Sequence, residues 1–304
     1  MLILKIKAGL GNQLFQYAYG RARALRSNTN LVIDTSWYNE IPEVDTKRTF
    51  DLHRYNIVCD VLSASESKSL QKPIQKFLRK VIGKIKRDIF GENDYTYYPK
   101  YSKKISPFSK EYIEGYFNSE KYFLDFADQI RKELTLKENL GDIAWKAETE
   151  IRQCAHENMV PILIHVRRGD YVTNVHASSF HGTKDNSYYI SSIERMNTEL
   201  ERQGDTRKKM YILVSDDVNA LKTEIVPLLG NDAYIILSRP GIQNYEEIYL
   251  MSLCSHFIIA NSSFSWWGAW LSTHKNKIVI APKVWVNNPK IKTPDVLPEG
   301  WIAV

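Results

Sequence analysis

The feature that most constrains this chain is a rhythm in its second half. Short apolar runs at 162–166, 210–214, 233–237, 257–260 and 278–281 alternate with stretches of helical period at about 187–203, 217–225, 245–254 and 264–271. Runs of four or five residues rich in Ile, Val and Leu suit strands buried on both faces, and the segments between them are long enough for crossover helices. Strand, helix, strand in succession predicts a doubly wound α/β fold around a parallel sheet. Such a sheet takes its ligand outside the carboxyl ends of its strands. Those ends are therefore where function is to be sought.

Three of the ends are polar in complementary ways. The run 162–166, ILIHV, follows Pro161 and delivers Arg167, Arg168, Gly169 and Asp170. A guanidinium donates two parallel charge-assisted hydrogen bonds, which fits phosphate oxygens. The plainer alternative is a surface turn with an Arg–Asp salt bridge. Asp216 and Asp217 follow the run 210–214 and suit a base edge or ribose hydroxyls, although either could instead cap the next helix. Asn261, Ser262, Ser263 and Ser265 follow the run 257–260, where a helix start offers free backbone N–H groups to an oxyanion. Serines there are also common caps. Coincidence at three strand ends predicts a nucleoside diphosphate site.

The first half opens with a strand over residues 2–8, a turn Ala8-Gly9-Leu10-Gly11-Asn12 and a helix over 13–26, in which Leu14, Ala18, Ala22 and Leu25 share a face. Strand, glycine turn and helix point backbone N–H groups at an anion, but the third glycine of a dinucleotide fingerprint is absent. A second strand is expected at 31–34 and a third at 112–117. Ser119 is a candidate cap for a helix running to about 134, and 142–156 reads as helix. The domain boundary falls between His156 and Pro161.

Composition, 43% hydrophobic and 25% charged, is that of a globular protein. Cys59, Cys154 and Cys254 are widely separated and odd in number, which suits a reducing compartment. The N-terminal apolar run is broken by Lys5 and Lys7, unlike a signal peptide, and no run approaches a membrane span, so a cytoplasmic protein is expected. The net charge of +6 is local. Seven basic residues and no acidic one lie between Lys72 and Arg87, and without them the balance is −1. A nucleic-acid-binding surface is therefore not expected. Ile74, Phe77, Leu78, Val81, Ile82 and Ile85 give that segment an apolar stripe, so it reads either as a helix on an anionic membrane face or as one packed on its own domain. A tyrosine-rich loop follows at 95–101. No His/Cys spacing suits zinc, and two arginines supply the charge a metal would bring to a diphosphate, so no metal and no cofactor are expected.

Three motifs then become specific: GLGNQLFQYA at 9–18, HVRRGDY at 165–171 and NSSFSWWGAWL at 261–271, with GYFNSEKYF at 115–123. In this order they resemble α-1,2-fucosyltransferases of glycosyltransferase family 11. The resemblance implies an α/β GT-B fold, two Rossmann-like domains facing a central cleft. It places an acceptor-side domain at 1–157 and a GDP-fucose-binding domain at 158–304, the last residues free to cross back. It further implies inverting, metal-independent transfer of fucose from GDP-β-L-fucose to the 2-hydroxyl of a terminal sugar, often galactose, of an oligosaccharide or lipid-linked glycan. By the same resemblance Arg167 binds the donor diphosphate with Arg168 alongside, and Asn12 of the Gly9–Gly11 turn approaches the donor. His165, Asp216, Asp217, Asn261, Ser262, Ser263, Phe264 and Ser265 match positions near guanosine and phosphate. The general base stays open among Asp170, His176 and His181, and Asp170 alternatively orients an arginine. Another nucleotide sugar as donor, or a non-catalytic glycan- or nucleotide-binding role, are the other readings. A peripheral place on the inner membrane face, through 72–87, would bring such an enzyme to lipid-linked acceptors.

Overall fold

The computed structural model describes residues 1–41, 47–70, 111–168, 182–287 and 293–304. The chain divides into two units, Met1–Lys137 with Thr293–Pro298, and Glu138–Lys292 with Glu299–Val304. The division comes twenty residues earlier than the sequence places it. The helix Asp142–His156, whose bounds the sequence gives, goes with the second unit. It is tied there by Gly141 N–H to Glu246 Oε1 at 2.8 Å and by Arg239 Nη1 to Glu150 Oε1 at 3.0 Å.

The first unit holds four parallel strands, β1 (Leu2–Lys5), β2 (Leu31–Asp34), β3 (Asp60–Val61) and β4 (Glu111–Ile113), in the order β3-β2-β1-β4. The helix Leu10–Arg26 covers them with the buried Leu14, Tyr17 and Ala18. A Cβ at Gly20 would lie 2.7 Å from Leu4 Cδ2, so the glycine lets this helix sit down on the sheet. The helix starts at Leu10 and not at residue 13, and the turn before it is made by Ala8 at φ 66 rather than by a glycine. Two donors hold the Ala8 carbonyl there, Gln13 Nε2 at 3.1 Å and the Tyr38 hydroxyl at 2.9 Å. The strand expected over 112–117 covers only Glu111–Ile113, and Phe117 takes a left-handed φ of 51. The helix expected from 119 is two short 3₁₀ turns before Ala127–Glu133, with Ser119 Oγ capping the first by accepting from Lys121 N–H at 3.3 Å.

The second unit holds β5 (Met159–Val166), β6 (Lys208–Ser215), β7 (Ala233–Ile236), β8 (His256–Ile258), β9 (Val279–Ala281) and β10 (Ile302–Ala303) in one parallel sheet, ordered β10-β9-β8-β5-β6-β7. Counted along the chain this is the doubly wound order 3-2-1-4-5-6. The strand order reverses between β5 and β8, where such sheets open a crevice for ligand. Ile162, Leu163, Ile164, Ile212, Leu213, Phe257, Ile258 and Ile280 are fully buried, which accounts for their unbroken apolar runs. Pro161 lies inside β5 and not at its start. Its carbonyl accepts from Ser255 N–H at 2.9 Å on the side of β8, and β8 joins β5 only from Ile162, so the missing N–H faces no strand partner.

The basic segment 72–87 and the tyrosines at 95–101 lie outside the described residues. Among the described residues no helix is long and apolar enough to cross a membrane.

Candidate functional site

The three polar ends noted in the sequence belong to neighbouring strands. Arg167 and Arg168 follow β5, Asp216 and Asp217 follow β6, and Asn261–Ser263 follow β8, on either side of β5. Because all three strands are parallel, these residues share the carboxyl edge of the sheet at its switch point.

Asp216 ties two of the ends together. Its Oδ2 lies 2.9 Å from Arg167 Nη1, and its Oδ1 accepts the Arg168 main-chain N–H at 2.8 Å. Asp216 is therefore an arginine partner in this state, not an open base-reading carboxylate. Asp217 takes the other role weighed for it. Its Oδ1 accepts from Asn219 N–H at 3.0 Å and Ala220 N–H at 3.1 Å, capping the turn that follows β6. Arg168 points to a different set of partners. Its Nη1 donates to the Lys184 carbonyl at 2.6 Å and its Nη2 meets Glu224 Oε2 at 2.5 Å.

His165 is buried, with its ring 6.1 Å from that of Phe264, and its Nδ1 has no hydrogen-bond partner among the described residues. Burial and the adjacent Arg167 charge lower its pKa to about 3, against a smaller opposing pull from Asp216, so the imidazole is neutral near pH 7. A neutral ring with an idle buried nitrogen beside a guanidinium suits a polar ligand better than a closed core.

Sequence reasoning missed Glu247. This residue of the helix Asn244–Ser252 accepts from Ser238 Oγ at 2.7 Å, and Ser238 Oγ in turn accepts from Ser215 N–H at 3.0 Å at the end of β6. Burial pushes Glu247 up to about 7; the Ser238 bond opposes this, the Asp216 charge adds to it and Arg167 opposes it. Its neighbour Glu246 holds Gly141 N–H and Gln243 N–H, each at 2.8 Å, as a helix cap. Two adjacent glutamates read alike in a sequence. No signal in the sequence separates Glu247 from Glu246.

At the end of β8, Asn261 Nδ2 donates to the carbonyls of Trp285 at 3.1 Å and Gly182 at 3.3 Å, so this side chain holds loops at the sheet edge. Ser262 caps the helix Ser263–Leu271 by accepting from Phe264 N–H at 3.3 Å, and the buried Ser265 donates back to the Ser262 carbonyl at 3.4 Å. Ser263 and Phe264 are half-buried at this helix start. In the first unit, Asn12 lies in the first turn of its helix after Gly9, with its Oδ1 3.4 Å from Asn118 Nδ2, and Gly11 is buried in that same turn. Asp170, His176 and His181 lie outside the described residues.

The whole chain, residues 1–304, matches the sequence model described as "Glycosyl transferase family 11". The chain belongs to glycosyl transferase family 11. Among its relatives, an O-antigen biosynthesis glycosyltransferase, WbnK, of Escherichia coli is 30% identical over 312 residues, covering 98% of each chain. An alpha-1,2-colitosyltransferase, also of Escherichia coli, is 29% identical over 310 residues, covering 100% of this chain and 99% of the relative. Among solved structures, a point mutant of Arabidopsis thaliana FUT1 in complex with GDP superposes with a TM-score of 0.50 at 12% identity, covering 93% of this chain and 71% of that one. This likeness concerns the fold. The family 11 protein is thus a glycosyltransferase with the α/β architecture of the GT-B class, each unit carrying its own parallel sheet.

Proposed function

We propose that this family 11 glycosyltransferase transfers L-fucose from GDP-β-L-fucose to the 2-hydroxyl of a terminal sugar, galactose in the first instance, of a surface glycan. The carrying observation is Arg167 at the switch point of the second sheet, oriented by Asp216 beside the neutral His165 and Glu247. A guanidinium at this edge matches a diphosphate. A carboxylate nearby matches guanine, whose N1–H and N2 amino group are two adjacent donors for one carboxylate. Uracil offers one such donor, so Glu247 favours a guanine nucleotide.

In the reaction the bond from fucose C1 to the β-phosphate oxygen breaks while a bond from C1 to the acceptor oxygen forms on the opposite face. Arg167 stabilises the charge that gathers on the departing GDP. The acceptor proton passes to a base, for which Asp170, His176 and His181 are the groups to test. With the leaving-group charge met by arginine, transfer proceeds without a metal. The acceptor is assigned to the first unit.

A second donor has a specific observation in its favour, the full-length similarity to an alpha-1,2-colitosyltransferase. Colitose is fucose lacking the 3-hydroxyl, so GDP-fucose and GDP-colitose differ in one polar group. Transfer to lactose from GDP-fucose and from GDP-colitose, each with and without chelator, tests the reading. Transfer from GDP-fucose that survives chelation supports it. Turnover of GDP-colitose alone replaces the donor, and binding of GDP without turnover of either sugar leaves a binding protein.

A further inference from the structure

Arg167 and Arg168 are neighbours in sequence, but they occupy different surroundings. Successive residues leaving a strand point to opposite faces of the sheet. Arg167 shares its side with His165 and Glu247, both of which feel its charge. Arg168 shares the other side with Tyr189, whose buried hydroxyl feels Arg168 and Glu224 and donates to the His165 carbonyl at 3.2 Å. The two guanidiniums are therefore not an interchangeable pair.

We propose that Glu224 is a positioning residue for the donor site, acting through Arg168, and that Arg168 is the strut that keeps Arg167 in register. Glu224 lies in a single wide π-type turn, Leu221–Ile225, between the short helix capped by Asp217 and a 3₁₀ turn. Such turns are uncommon and recur at functional sites. Arg168 is gripped from two directions, by Glu224 and by the Lys184 carbonyl, and its side chain is 12% exposed, so little of it is left open to solvent or ligand.

The grip joins three pieces of the second unit. The end of β5 is linked to the turn after β6 through Glu224, and to residues 182–185 through Lys184. That short segment is fixed elsewhere as well. Lys184 Nζ donates to the Val284 carbonyl at 2.7 Å, Asn261 Nδ2 reaches the Gly182 carbonyl, and Asp185 caps the helix Asn186–Gln203 by accepting from Tyr188 N–H at 3.2 Å. With Glu224 neutral or shortened, Arg168 loses its ionic partner, and its main-chain N–H, held by Asp216, is no longer fixed from both ends. Asp216 is also the residue that aims Arg167. A change at Glu224 should thus be felt at the diphosphate one residue away.

This inference rests on the donor site proposed above, so the experiment begins with wild-type enzyme. Kinetics with GDP-fucose and lactose, GDP calorimetry and thermal melting are measured for wild type, Glu224→Gln, Glu224→Asp, Arg168→Ala and the double variant Arg168→Ala/Glu224→Gln. Glu224→Gln is expected to keep its melting temperature while kcat falls by about tenfold or more and the donor KM moves much less, as when transition-state geometry is lost. Glu224→Asp should recover part of kcat, and the double variant should be no slower than Arg168→Ala, because both changes break one contact. Wild-type rates in Glu224→Gln, or losses that add in the double variant, would overturn the inference while leaving the donor site intact. A wild-type protein that binds no GDP overturns the donor reading, and this inference with it.

Discussion

Asp216 holds Arg167 at 2.9 Å through one carboxylate oxygen and the Arg168 main chain at 2.8 Å through the other. One side chain from the end of β6 thereby sets the direction of a guanidinium at the end of β5. Arg167→Ala should lower transfer by about a hundredfold or more, the scale seen when one donor to a developing oxyanion is removed. Asp216→Asn should lower it by less, because the amide keeps one acceptor. Steady-state kinetics with GDP-fucose on folded variants checks both, and an Arg167→Ala enzyme of near-native rate removes the diphosphate role.

Asp217 is expected to behave otherwise despite standing next to Asp216. It caps the turn after β6 through two N–H groups. Asp217→Ala should cost about 1 kcal/mol of stability and leave donor KM unchanged. A raised donor KM at unchanged stability would assign Asp217 to the ligand.

Glu247 predicts a pH dependence for both binding and stability. Its carboxyl is raised to about 7 in the folded protein, above its unfolded value, so the folded state binds more protons between those two pKa values. Stability from this group is present at low pH and is lost as pH rises toward and through about 7. Binding runs the other way, because guanine needs the carboxylate. GDP affinity measured by calorimetry should increase from pH 6 to 8, and Glu247→Gln should flatten that slope.

His165 and His256 predict acid sensitivity. Both are buried and held neutral, at about 3 for His165 and about 4 for His256, in the second case by burial and then by the charge of His274. Folded values below the unfolded one mean that stability is full above the unfolded histidine pKa and is lost as pH falls toward 4. His256 Nδ1 accepts from Ile278 N–H at 3.0 Å, which protonation would break. Melting temperatures from pH 7.5 to 4.5 should fall, and His256→Asn should make the fall shallower.

Gly268 lies where two helices of the second unit come together, and a Cβ there would meet Met251 Cβ at 2.8 Å. That atom is fixed to the facing backbone and cannot rotate away. Gly268→Ala should destabilise the protein by about 1–3 kcal/mol, measured by denaturant titration. Gly204, with nothing near it, is a control for substitution as such, although its left-handed φ of 68 carries its own cost.

The alternation of apolar runs and helices between 160 and 281 determined the parallel sheet. Burial on both faces demands uninterrupted apolar residues, and that demand is visible one residue at a time. The same pattern located Arg167, Asp216 and Asn261 at strand ends, and the three motifs identified the family. Tertiary structure alone decided what each polar side chain does there. It made Asp216 an arginine partner and Asp217 a cap, gave Asn261 to the loops at 182 and 285, turned Arg168 toward Glu224, and set Glu247 rather than Glu246 beside the site. It also moved the unit boundary ahead of the helix Asp142–His156. The physical reason is common to all of these. Periodicity records which face of an element is buried, whereas the partner of a polar group is fixed by segments tens of residues away, and adjacent residues of the same type leave no trace of which one reaches it.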